Sequence, residues 1–311
     1  MSRFAYTADT HFKGLHMGYL IVAILKLSGL IPLRWAQRLG LGVGWLMTRF
    51  RNRSREVARR NLQMVYPQMD SAEREQLWRE TLRQTGMVSM EMGVLWGGSQ
   101  AKGLALVREV HNVEVLQQAL SANKGVLFCV PHLGNWEVLN HYITTQTEVL
   151  AMYRPAKNAV LNRWMLSSRG KTGIRLVPTT STGVKEMFRA IKAGEFVGIL
   201  PDQEPKPRSG VFAPFMGVEA LTPKLCHELL QRSDAVALFG FTQRLPNGEG
   251  FDIHFIKPDD AIYDPDPAVS ATALNAAIEA CVEHAPEQYQ WTYKRFKRRP
   301  GDGKNPYKGI G

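Results

Sequence analysis

From residue 125 onward the sequence alternates short apolar runs with helix-like stretches, and this alternation constrains the fold more than any other feature. The runs are GVLFCV (125–130), EVLAMY (148–153), GIRLVP (173–178), EFVGIL (195–200) and AVALFGF (235–241). Each has the length of a strand, and helix-like segments fall between them near 135–146, 157–169, 183–193 and 222–232. Strands apolar along their whole length must be covered on both faces, and strands separated by helices pair in parallel. The predicted fold class is therefore α/β, a mostly parallel sheet flanked by helices. Upstream, residues 52–95 read as helical, with Ser71 as an N-cap and Glu73 and Glu75 in the first turn.

Ligands of open α/β sheets bind beyond the carboxyl ends of the strands. Three predicted strands deliver polar residues there: VLFCV leads to His132, EVLAMY to Arg154, and FVGIL to Asp202 and Gln203. In VPHLGNWEVL (130–139), Gly134 gives the strand–helix turn backbone freedom and Asn135 is a natural N-cap. His132 in that turn can then meet Glu137 in the first helical turn. A carboxylate on one imidazole nitrogen fixes the tautomer, and the other nitrogen can take a proton. No serine or cysteine nucleophile stands nearby in sequence. The simplest chemistry is direct: His132 deprotonates a substrate hydroxyl, which attacks an activated carbonyl. The same spacing also fits a capped turn with an incidental histidine.

Arg154 offers a rigid fork for phosphate or carboxylate oxygens. Lys157, Arg163 and Arg169 follow it, either as further anion contacts or as a solvated helix face. Asp202 and Gln203 either orient a substrate or close a turn. The apolar segment Gly210–Pro223 reads as a loop, a wall for an acyl chain or ordinary core.

The net charge of +11 favours anionic partners: phosphates, acidic proteins, anionic lipid or nucleic acid. Of these, nucleic acid lacks a recognisable module and stacking aromatics, so no nucleic-acid partner is expected. The basic run KRFKRR (294–299) is a solvated tail, a lipid-phosphate contact or such a patch. Cys129, Cys226 and Cys281 form no CxxC pair, which argues against disulfides and zinc and for a reducing compartment. Neither a metal nor a cofactor is expected.

Gly14–Leu33 is mostly apolar and close to the ~20 residues a bilayer span requires. Lys26 near its middle opposes spanning, whereas Arg49, Arg51, Arg53, Arg55, Arg59 and Arg60, opposed only by Glu56, suit an anionic cytoplasmic leaflet. The expected organisation is an N-terminal membrane-anchoring helix with a basic flank in residues 1–50 and a catalytic domain in 51–311.

Taken together, the residues resemble the bacterial late acyltransferases of lipid A biosynthesis, the lauroyl/myristoyl transferase family within the lysophospholipid acyltransferase superfamily. The likeness covers roughly residues 43–307. It rests on NRSREVARRNLQMVYP (52–67), GVLFCVPHLGNWE (125–137), YRPAKN (153–158), GILPDQEP (198–205), FAPFMGVEALTP (212–223) and APEQYQWTYKRFKRRP (285–300). The resemblance implies an enzyme of the inner membrane with its site on the cytoplasmic face. It implies transfer of a fatty acyl chain from acyl carrier protein to a hydroxyl on a primary 3-hydroxyacyl chain of a lipid A precursor. By the same match His132 is the base and Glu137 its acid, in an HX4E motif. Arg154, Asn158, Arg163, Arg169, Asp202 and Gln203 form the candidate substrate-binding set. The family commonly reads His-Arg-Arg-Phe-Lys near its end where this chain has Tyr293-Lys294-Arg295-Phe296-Lys297, so no catalytic role falls to position 293. An acyltransferase for a lysophospholipid or another glycolipid, a hydrolase with the same dyad, and a non-enzymatic protein that binds anionic lipid are the alternatives.

Overall fold

The computed structural model describes residues 16–310. All five apolar runs become strands of one seven-stranded sheet: β2 (Val126–Cys129), β3 (Val149–Tyr153), β4 (Arg175–Pro178), β5 (Phe196–Ile199) and β8 (Val236–Arg244). They are joined by β1 (Val107–His111) and β9 (Phe251–Ile256), in the order β1-β9-β8-β2-β5-β3-β4. From β8 to β4 every pairing is parallel; β9 runs antiparallel to β8, and β1 runs parallel to β9. β5 therefore lies between β2 and β3, although it follows both in sequence.

Along β2 the side chains alternate between two cores. Leu127 and Cys129 join the core built with Met187 and Ala190 of α9 (Ser181–Lys192) and with α11 (Pro267–His284). Val126 and Phe128 join the core on the other face, with Leu116 of α6 (Val113–Ser121) and Val138 and Leu139 of α7 (Glu137–Ile143). Covering both faces explains why the central strands β2 and β5 carry no charged residue and are buried along their whole length.

The segment Gly210–Pro223, expected as a loop, is a hairpin of β6 (Gly210–Phe215) and β7 (Val218–Pro223). Asn275 of α11 donates to the Pro214 carbonyl at 2.8 Å, and Arg295 donates to the Leu221 carbonyl at 2.7 Å, so its polar backbone is anchored inside the protein. The hairpin is a structural element. The run KRFKRR is likewise tied into the fold rather than a solvated tail, although Lys297 is exposed. Arg295 and Phe296 are buried, Lys294 Nζ donates to the Ile310 carbonyl at 2.6 Å, and Arg298 pairs with Glu204.

The helical region 52–95 is two helices, α3 (Arg53–Val65) and α4 (Ser71–Gly97). The cap of α4 is Asp70, not Ser71: its carboxylate accepts the Ala72 N–H at 2.6 Å, and an acid there also suits the helix dipole. Before them the apolar stretch is divided. Within the described residues α1 covers 16–28, a break follows at 29–32, and α2 is Leu33–Arg49. Pro32 cannot continue the first helix, and Gly29 and Gly93 of α4 meet backbone to backbone. Among the described residues no helix is long and apolar enough to cross a membrane. The part of the predicted anchor before residue 16 lies outside the described residues.

Candidate active site

The turn after β2 is held by its backbone. Gly134 has φ +58°, and a Cβ there would collide with the Thr242 carbonyl of β8, so only glycine fits. The Gly134 N–H donates to the Gln288 carbonyl at 3.2 Å and the Asn135 N–H to Thr242 Oγ1 at 3.0 Å. The Asn135 side chain accepts the Glu137 N–H and donates to Glu91 of α4, itself paired with buried Arg244. This scaffold sets His132 at the carboxyl end of β2, where the sequence places it.

The partner of His132 differs from the expected one. Because β5 pairs directly with β2, Asp202 at the end of β5 lies beside the imidazole. His132 Nδ1 is 2.7 Å from Asp202 Oδ1, and the His132 backbone N–H donates to Asp202 Oδ2 at 2.8 Å. A carboxylate can only accept, so Nδ1 carries a proton, and in the neutral imidazole Nε2 keeps a lone pair. Gln203 Nε2 approaches that nitrogen at 3.3 Å and donates to Gln290 Oε1 at 3.0 Å. Burial alone would raise the Asp202 pKa. The positive charge that His132 carries when protonated and its two hydrogen bonds, together with the charge of buried Arg295, outweigh it and hold the carboxyl below its ordinary value.

Glu137 begins α7 as expected but turns to α8 (Ala159–Gly170) instead of to His132. Arg169 Nε lies 3.1 and 3.2 Å from its two oxygens, Arg169 Nη2 closes the bidentate pair, and Asn140 Nδ2 adds a bond at 2.9 Å. The expected His132–Glu137 hydrogen bond is therefore replaced by two pairs, His132–Asp202 and Glu137–Arg169. A five-residue offset leads away from a shared helix face, and each carboxylate finds the partner that the sheet order brings to it. Burial opposes ionisation of Glu137, but Arg169 and Asn140 prevail and keep it below its ordinary 4.5.

A single cavity of about 920 Å³ opens over this constellation. Its body is hydrocarbon, including Phe128, Leu139, Ile143, Met165, Ile174 and Leu176, between the sheet and helices α7 and α8. Its polar lining includes His132, Gln203, Arg169 and the exposed Arg154 and Lys206. Of the predicted binding residues, Arg154, Arg169 and Gln203 line the cavity, and Asp202 stands behind His132. Asn158 is the N-cap of α8, accepting the Val160 and Leu161 N–H groups, and Arg163 is exposed on that helix away from the lining. Sequence reasoning missed Trp136, whose ring stands edge-on to His132 at 4.9 Å, and Gln290, which holds Gln203. Position 293 is structural: the Tyr293 hydroxyl accepts the Glu204 N–H at 3.1 Å.

The Glu137–Arg169 pair is nearly enclosed, and removing one member strands a buried charge. Glu137→Ala is expected to lower unfolding free energy by about 3–5 kcal/mol, read from denaturant titration. The sign with pH follows from the depressed pKa. The stabilisation is complete above pH 4.5 and is lost as pH falls through the lower folded-state value. The melting temperature of Glu137→Gln should accordingly vary less with pH below 4.5 than that of the unsubstituted protein.

A histidine at a hydrocarbon-lined cavity at the end of an α/β sheet, its Nε2 approached by the Gln203 amide at 3.3 Å, defines a site suited to acyl chains. The model of the bacterial lipid A biosynthesis acyltransferases matches residues 6–298, and the chain belongs to that family. It is an acyltransferase of lipid A biosynthesis. It is 30% identical over 283 residues to the lipid A biosynthesis lauroyltransferase of Escherichia coli K12, covering 91% of this chain and 92% of that protein. The palmitoleoyltransferase of the same organism is 30% identical over 266 residues, with 84% and 85% covered. Its myristoyltransferase is 26% identical over 298 residues, with 93% and 90% covered.

Proposed function

We propose that the chain moves a fatty acyl group from acyl carrier protein to the hydroxyl of a primary 3-hydroxyacyl chain on a lipid A precursor. His132 Nε2 removes the hydroxyl proton, and the oxygen attacks the thioester carbonyl. The tetrahedral intermediate expels the thiolate, which takes the proton back from the imidazolium. Asp202 holds Nδ1–H and stabilises the imidazolium while it exists. Arg169, fixed by Glu137, supplies positive charge within the same cavity, and Arg154 at the rim suits an anionic group of either substrate.

One observation carries this reading: the Nε2 lone pair of His132 stands at a cavity whose size is near the upper end of the roughly 300–1,000 Å³ typical of ligand sites. The basic net charge supports both an acidic carrier protein and a phosphorylated acceptor. An acceptor that stays in the bilayer favours residence at the bacterial inner membrane with the catalytic portion, 51–311, on the cytoplasmic face and residues 1–50 as the attachment. The test is mass spectrometry of a lipid A precursor incubated with acyl carrier protein thioester and the purified chain. The expected product is heavier by one ester-linked acyl group. Free fatty acid as the main product would mean hydrolysis, and acylation of a lysophospholipid in its place would move the activity to another acceptor.

A further inference from the structure

The nitrogen that the reaction needs is covered. With Nδ1 donating to Asp202, His132 has only Nε2 left to take a proton, and the Gln203 side-chain amide lies 3.3 Å from it. Neutral imidazole offers a lone pair at that nitrogen and an amide NH₂ offers only protons, so Gln203 donates and Nε2 accepts. The ring is otherwise closed in. Trp136 stands edge-on at 4.9 Å, and only 14% of the His132 side chain is exposed.

A second glutamine fixes the amide in this pose. Gln203 Nε2 also donates to Gln290 Oε1 at 3.0 Å, so the NH₂ end of Gln203 is the end turned to the histidine. The backbone around Gln290 is laced to the turn that carries His132. The Gln290 N–H donates to the His132 carbonyl at 3.0 Å, the Gly134 N–H donates to the Gln288 carbonyl, and Leu133 pairs with Tyr289 in a β-bridge. Gln203 itself follows Asp202, which accepts both the ring and the backbone N–H of His132. The two glutamines are therefore placed by bonds to the residue they cover.

Space decides what reaches the base. Two nitrogens 3.3 Å apart leave no room for an oxygen on the line between them, because each N–O hydrogen bond spans about 2.7–3.2 Å. A hydroxyl gains the lone pair only by turning the amide aside. An acceptor held through its hydrocarbon in the 920 Å³ cavity brings binding energy to that displacement, and a water molecule brings none.

We propose that Gln203, held by Gln290, masks the His132 base until an acceptor displaces it, and so favours acyl transfer over hydrolysis of the donor. In the step it suppresses, water gives its proton to His132 Nε2 and its oxygen attacks the thioester carbonyl. The C–S bond then breaks, and the leaving thiolate takes the proton back, giving fatty acid and thiol. Gln203 acts through His132 and is a positioning residue. The selectivity rests on the function proposed above; the masking does not.

The test uses the full chain and two readouts. Diethylpyrocarbonate modifies an unprotonated imidazole nitrogen, and peptide mass spectrometry gives the rate at His132 relative to exposed His284, whose own rate reports any change of fold. Hydrolysis of acyl carrier protein thioester is followed without acceptor. Gln203→Met keeps the side-chain length and removes the donor, so a faster reaction reports the lost hydrogen bond rather than a wider opening. Gln290→Met removes the oxygen that fixes the amide. Each is expected to raise both rates about fivefold, the worth of one net hydrogen bond. Gln290→Glu keeps an accepting oxygen and should label as the original does. Unchanged labelling of His132 in both methionine variants, or labelling in Gln290→Glu as fast as in Gln290→Met, would overturn the masking. Faster labelling with slower hydrolysis would overturn the selectivity and make Gln203 a donor to the reacting oxygen. Because labelling is read without turnover, faster labelling in a chain that transfers no acyl group would count against the proposed function alone.

Discussion

Replacing His132 with alanine is expected to cut acyl transfer by about 10²–10⁴-fold, the usual contribution of a positioned general base. The loss should fall on kcat, because the hydrocarbon walls of the cavity remain to bind the acyl chain. His132 lies outside the hydrophobic core and its ring is held mainly by Asp202. Removing it leaves that buried carboxylate with the backbone N–H of residue 132 and the charge of Arg295. The variant should therefore fold, with a melting temperature within several degrees of the original. Full turnover in a folded His132→Ala protein would remove the imidazole from the reaction and leave the cavity as a lipid-binding site only.

Asp202→Asn is expected to cost nearly as much, on the order of 10²–10⁴-fold, by a different route. An amide can place its NH₂ against Nδ1, which favours the tautomer with its proton on Nε2. That nitrogen then cannot accept the hydroxyl proton. Glu137 acts on another member of the site. Its partner is Arg169, so Glu137→Ala and Arg169→Met should each lower activity while the double variant is little worse than either, a coupling of about 1–3 kcal/mol. Glu137→Ala combined with Asp202→Asn should show no comparable coupling. If Glu137 coupled instead to His132 and Asp202→Asn kept full activity, the expected HX4E pairing would stand and the one observed here would fall.

The chain-order pattern made much of the architecture legible. Each apolar run became a strand within one or two residues at most ends, since continuous Val, Leu, Ile and Phe over four to six positions needs cover on both faces. Gly134 was legible for a steric reason, as the sharp turn from β2 to α7 demands a positive φ. β9 was harder to read because its polar Asp252 and His254 alternate with buried Phe251, Ile253 and Phe255. The β6–β7 hairpin was concealed by a positive-φ turn at Met216-Gly217 set in an otherwise apolar run.

By itself the sequence determined that an α/β sheet would present His132, Arg154 and Asp202 at the carboxyl ends of three strands, and that the N-terminal region would carry apolar and basic surface. Only the tertiary structure decided which carboxylate the histidine meets and whether that apolar surface is one helix or two. The reason is the range of the forces involved. Turns, caps and burial patterns act over a few residues and are written locally. The order in which strands pair brings residues 132 and 202 within 2.7 Å across seventy positions, and no local pattern records it.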